Sequence, residues 1–165
     1  YFLLNWIPKL AANAGLPIDK AIYAGTAFNI GAIVGIPLQG LFSINFGLKK
    51  TIGWFFVITS IFLVAFRIFA GTDFALIVLF ILGFGVQGGF VGLYAVAAKM
   101  YPASFRTTGV GWAIGIGRLG GIVGPVAGGL LVSLGLGMTG SFTIFAIPCL
   151  VAAFVVFNLS SQTIS

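Results

Sequence analysis

The sequence predicts an all-α protein immersed in lipid, and three observations carry that expectation. Of 165 residues, 60% are hydrophobic and only 6% charged, with a mean hydropathy of +1.21. A soluble domain of this size cannot hide so much apolar surface, so lipid must be the solvent for most of it. Apolar runs of bilayer length alternate with short turns rich in glycine, proline or charge. Eight basic residues outnumber two acidic ones and sit mainly at the ends of those runs. A sequence pI near 9.9 therefore speaks of membrane topology rather than of nucleic acid.

The elements follow in order. Residues 1–14 (YFLLNWIPKLAANA) read as a helix. At about 1.5 Å per residue it is too short to cross a bilayer of roughly 30 Å, so it is expected to be part of a spanning helix. Gly15-Leu16-Pro17 breaks it, and Asp19-Lys20 mark a polar turn. Residues 21–44 form the first complete span, interrupted by Gly31, Gly35 and Pro37. A tight basic loop from Asn45 to Lys50 leads to a span at 51–70, with Arg67 and Asp73 at its far end as an interfacial pair. Residues 74–98 are a glycine-rich third span, and Lys99 to Arg106 the next loop, turned by Pro102. The fourth span, 107–134, carries Pro125 as an expected bending point. The last covers 141–158, giving half a helix plus five spans.

The loops holding Lys49, Lys50, Lys99 and Arg106 lie on one side, without a negative charge. The other side holds Lys9, Asp19, Lys20, Arg67 and Asp73 and nets only one positive charge. The basic side, and with it the C-terminus, is expected to be cytoplasmic.

Arg118 stands near the middle of the fourth span with no acidic residue within helical reach in its own segment. A cation at bilayer depth costs several kcal/mol, so it faces a partner or a watery cavity. On a helix it shares a face with Gly111, Gly115, Ile122 and Pro125, and the two glycines leave open space beside it. Gly117 and Gly121 belong to a row of small residues that predicts tight helix packing. Asn29 reads first as an interhelical hydrogen bond and second as a substrate contact. Gln87 and Tyr94, seven residues apart on one face, read equally as structural glue or as a polar stripe for an aromatic ligand. Asn5 and Trp6 fit either a helix end at the interface or a site.

The residues exclude several functions. There is no histidine, and the one cysteine lies in an apolar run, so neither a disulfide framework nor a His/Cys metal site fits. No Ser-His-Asp or Cys-His set exists, and the two carboxylates are interfacial and far apart. The glycine clusters follow no strand and lack a P-loop Lys-Ser/Thr. The sequence calls for no enzyme chemistry and no cofactor. Bendable, close-packed helices with isolated polar residues at mid-depth fit a carrier.

The block Tyr101-Pro102, Arg106, Thr108-Gly109-Val110-Gly111-Trp112-Ala113-Ile114-Gly115-Ile116-Gly117-Arg118-Leu119-Gly120 and Gly124-Pro125 resembles the major facilitator superfamily. Within it the chain is most similar to the aromatic acid:proton symporters, carriers of benzoate, protocatechuate and hydroxyphenylpropionate. Gly83-Phe84-Gly85-Val86-Gln87-Gly88 with Gly92-Leu93-Tyr94 resembles that family's tenth helix, and Tyr1 to Pro8 its seventh. The resemblance implies the C-terminal six-helix domain of a twelve-helix carrier, its first helix incomplete, working by alternating access. It implies proton-coupled uptake of small aromatic carboxylates across the inner (plasma) membrane, with protons, substrate and an N-terminal six-helix half as partners. The proton-carrying acids would lie in that other half, so this chain alone is expected to be inactive.

In that reading Arg118 holds the carboxylate, with Gln87, Tyr94, Asn29, Asn5 and Trp6 as further contacts. Gly117, Gly121, Pro125, Gly47, Lys49, Lys50 and Arg106 serve packing and gating. One departure stands out: Gly40 to Lys50 resembles the superfamily's loop repeat, but Ile44 and Asn45 occupy the usual aspartate and first arginine positions. The acidic latch is therefore absent. Competing readings are a carrier of another organic anion, a sugar or a drug, and a structural bundle in which Arg118 pairs with an acid of the other half.

Overall fold

The computed structural model describes residues 18–69, 72, 74–135 and 137–159. The calls on Asn5, Trp6 and Asp73 fall outside them. Five helices follow one another: α1 (Ile18–Phe46), α2 (Leu48–Phe69), α3 (Ala75–Met100), α4 (Arg106–Ser133) and α5 (Gly137–Asn158). All five are long and apolar enough to cross a membrane. At about 1.5 Å per residue, even the 22-residue α2 and α5 exceed the roughly 30 Å hydrocarbon layer.

Short connections force neighbouring helices to run antiparallel. The tightest is Gly47 alone, where a loop from Asn45 to Lys50 was expected. Its φ of +86° is a left-handed conformation open to glycine, so the chain reverses in one residue and α2 begins at Leu48. Lys49 and Lys50 thus ride on the first turn of α2. Nor do Gly31, Gly35 and Pro37 interrupt α1, which runs on past all three. The helix also continues across Pro125 in α4 and Pro148 in α5.

The packing is built on α3. A Cβ on Gly31 would strike the Phe80 carbonyl oxygen, one on Gly35 that of Phe84, and one on Gly83 that of Phe28. The backbones of α1 and α3 therefore touch, which only glycine permits; in lipid such contact replaces the hydrophobic drive. Two cores flank this crossing. At one end Phe28 (α1), Leu63 and Phe66 (α2), Leu79 and Leu82 (α3) and Phe142 (α5) are fully buried, with Phe66 and Phe142 stacked at 4.7 Å. At the other, Ile52 and Phe56 (α2), Val96 (α3), and Ala153 and Val156 (α5) pack together. Two buried hydroxyls of α2 are satisfied: Thr59 donates to the Phe55 carbonyl at 2.7 Å, and Ser60 to those of Phe56 and, on α5, Ala146.

Among the described residues, none of α4 belongs to either core. Helix α4 leans only lightly on α3 and α5, and most of its large apolar side chains, Trp112, Ile116, Leu119, Ile122 and Val126 among them, are exposed. The helix that carries Arg118 is the outer member of the bundle.

The basic end is tied together. Lys49 donates from Nζ to the carbonyl of Leu159, at the end of α5. A cation there satisfies an orphan carbonyl and complements the negative end of the helix dipole. Lys49→Met is expected to loosen the last turn of α5 by about 1 kcal/mol, read as roughly fivefold faster amide exchange over residues 155–159. Unchanged exchange would show that Lys49 does not hold that helix end.

Candidate functional site

The site is assembled from the facing surfaces of α3 and α4. Successive helical residues are turned by about 100°, so α4 presents distinct arcs. Ala113, Ile114 and Gly117 look toward α3, where with Phe90, Leu93, Tyr94 and Ala97 they line a cleft of about 210 Å³. Phe90 and Tyr94 meet edge-to-face at 5.0 Å, an arrangement in which each fixes the other's ring. On a second arc Thr108, Gly111, Trp112, Gly115, Ile116 and Leu119 border an open groove of about 550 Å³.

Arg118 occupies the arc between the two. It is exposed, and among the described residues it makes no hydrogen bond or ion pair. Among the described residues, nothing lies within 4 Å of a Cβ placed on Gly111, Gly115 or Gly117. The open space expected beside Arg118 from its glycines is therefore present. The tight packing expected of Gly117 is not made within the described residues, because Gly117 borders the α3–α4 cleft and a Cβ there would meet nothing within 4 Å. Close-packing glycines include those at the α1–α3 crossing and Gly85, Gly88 and Gly92, which face Thr59, Phe55 and Ile52 of α2.

The other candidates divide. Tyr94 lines the α3–α4 cleft. Gln87, two turns earlier on the same face of α3, is half-buried and makes no hydrogen bond among the described residues. Asn29 does not bridge helices: its amide donates at 2.9 Å to the Gly25 carbonyl one turn back, and its side chain is exposed. Pro125 is half-buried in α4, Gly121 likewise. Arg106 opens α4 and turns its Nε toward the Tyr101 carbonyl at 3.4 Å, while the Tyr101 ring covers Gly109. Arg106 and Lys50 thus belong to the basic end, away from Arg118.

The sequence reading missed Gln39. It is buried on α1, with its amide donating to Ser43 Oγ at 2.8 Å and its nitrogen close against Gly92 of α3. The i, i+4 pairing of Gln39 and Ser43 in an apolar run was the available signal.

The geometry is that of a helical bundle with an exposed cation, Arg118, midway along α4, next in sequence to Gly117 of a cleft lined in part by the Phe90 and Tyr94 rings. The profile of the Major Facilitator Superfamily matches residues 1–163. The chain belongs to that superfamily. Among curated relatives, the chain is 32% identical over 157 residues to a gallate transporter of Pseudomonas putida, covering 94% of this chain and 35% of the relative. It is 32% identical to the benzoate transport protein of Acinetobacter baylyi, covering 98% and 35%. The same identity holds for the 3-(3-hydroxy-phenyl)propionate transporter of Escherichia coli, over 98% and 40%. The chain spans only 35–40% of the length of these relatives. No solved structure matches it. Members of the superfamily are membrane transporters rather than enzymes, and the lipid-facing apolar helices of this chain agree with that placement.

Proposed function

We propose that the chain is the C-terminal six-helix half of a secondary carrier that takes up small aromatic carboxylates together with protons. The observation that carries the reading is Arg118, a cation without a partner among the described residues, which follows Gly117 of the cleft that Phe90 and Tyr94 line. A guanidinium there offers a carboxylate two parallel hydrogen bonds, and the rings offer its aromatic body an apolar, quadrupole-complementary wall. The names of the relatives, transporters of gallate, benzoate and hydroxyphenylpropionate, support the same substrate class. Gln87, Asn29, Asn5 and Trp6 are proposed as outer contacts, and Gly121 and Pro125 as elements of the moving α4.

The other half of the carrier is proposed to cover the exposed face of α4 and to supply the carboxylates that load the proton, since no acid shares the span of Arg118. Alternating access then rocks the two halves around the site. The basic end, with Lys49, Lys50, Lys99 and Arg106, is assigned to the cytoplasm of the inner membrane.

The test is uptake of labelled benzoate by the full-length carrier in proteoliposomes. Uptake is expected to accumulate under an inward proton gradient and to collapse with a protonophore. Saturable uptake indifferent to the protonophore would sink the coupling, and absence of uptake for every aromatic acid tried would sink the substrate class. The 165-residue chain alone is expected to give no uptake above empty vesicles, because the cavity needs both halves.

A further inference from the structure

A second cavity, an open groove of about 270 Å³ along which Phe42, Phe46 and Trp54 are exposed, lies at the basic end between α1 and α2. Phe42 and Phe46 of α1, Trp54 and Phe55 of α2 and Phe84 of α3 form its walls, with Lys50 also lining it. The wall is organised, since Phe55 and Phe84 stack at 4.9 Å with planes 22° apart. Thr51 lines the same cavity. It is 5% exposed, and its Oγ1 is the one buried side-chain oxygen or nitrogen without a hydrogen-bond partner among the described residues. An orphaned buried hydroxyl costs free energy unless something else satisfies it.

We propose that this cavity is a second binding site for an aromatic carboxylate, distinct from the Arg118 site. The ring of the ligand stands among the phenylalanines and Trp54, its carboxylate is held by Lys50, and the Thr51 hydroxyl turns to complete its hydrogen bonding. The volume lies just under the roughly 300–1,000 Å³ of sites for drug-sized ligands, which matches a single-ring acid. A cation at the mouth of aromatic walls complements a flat anion and gives a neutral analogue no advantage. At the basic end such a site would hold the acid where it enters or leaves the carrier. The inference takes its ligand class from the proposed function but uses none of the residues of that site.

The test is photolabelling of the full-length carrier, in nanodiscs of zwitterionic lipid, with 4-azidobenzoate and mapping of the adducts. Adducts are expected within residues 42–58, suppressed by excess benzoate and unaffected by benzamide. Lys50→Gln should reduce them about tenfold, the scale of a lost charge-assisted bond. Thr51→Val should reduce them about threefold without lowering the melting temperature, since it removes a hydroxyl that has no partner among the described residues. A purely structural Thr51 predicts unchanged labelling. Adducts confined to the region of Tyr94 and Arg118 would overturn this proposal and leave the transport reading standing. Labelling displaced by oleate or phosphatidylglycerol but not by benzoate would make the cavity a lipid site and overturn it equally. Adducts at 42–58 in a carrier that moves no aromatic acid would instead remove the transport reading.

Discussion

Replacing Arg118 by lysine in the full-length carrier is expected to raise the apparent substrate constant tenfold or more while leaving folded yield unchanged. The charge survives, but lysine is a point donor and cannot reproduce the two parallel bonds of the guanidinium. A charge-assisted bond contributes roughly 1.5–3 kcal/mol, and each 1.4 kcal/mol is a factor of ten. Folding should tolerate the change, because Arg118 is exposed and holds no described residue in place. The neutral amide of the same acid should neither bind nor compete.

A strut role for Arg118 predicts the reverse. If it pairs with an acid of the other half, lysine preserves the pair and uptake stays near normal. Gln at the same position then strands a buried carboxylate and lowers folded yield. Measuring yield and uptake for both variants separates the two roles. Normal uptake by Arg118→Lys with a poor yield of Arg118→Gln would withdraw Arg118 from the substrate site.

The largest effect on folding is expected at Gly83, where even alanine should cost about 2–3 kcal/mol or more. A Cβ there would collide with the Phe28 carbonyl, a backbone group that cannot swing aside as a side chain can. Gly31 meets the Phe80 carbonyl in the reciprocal sense, so either substitution must push α1 and α3 apart. The lost van der Waals contact has no hydrophobic replacement, because lipid is as apolar as the helix surface. Gly117→Ala is the control, with nothing within 4 Å of its new methyl group. Folded yield and thermal denaturation of the chain should fall sharply for Gly83→Ala and hold for Gly117→Ala. A Gly83→Ala variant that melts like the parent would disprove the close crossing. If Gly117→Leu leaves this chain folded but cripples the full carrier, the space beside Gly117 in the α3–α4 cleft serves transport rather than packing.

Sequence alone determined that the chain is a helical membrane bundle, because apolar runs of bilayer length leave no other way to satisfy the backbone. It also marked Arg118, since an intramembrane cation costs too much to be incidental, and it marked the basic residues that the structure gathers at one end. Only the tertiary structure decided which glycines pack. Gly31 and Gly117 look alike in the chain, and small-residue rows say where a close approach is possible but not which helix makes it. The structure gave the first to the α1–α3 crossing and left the second open. It likewise turned Asn29 back on its own helix, because an exposed amide in an apolar setting takes the nearest acceptor, the second lone pair of the carbonyl four residues earlier. Lys49 on the end of α5, and the ring-walled cavity around Thr51, join residues from separate helices. Such meetings depend on how helices cross, which periodicity along any one of them does not encode.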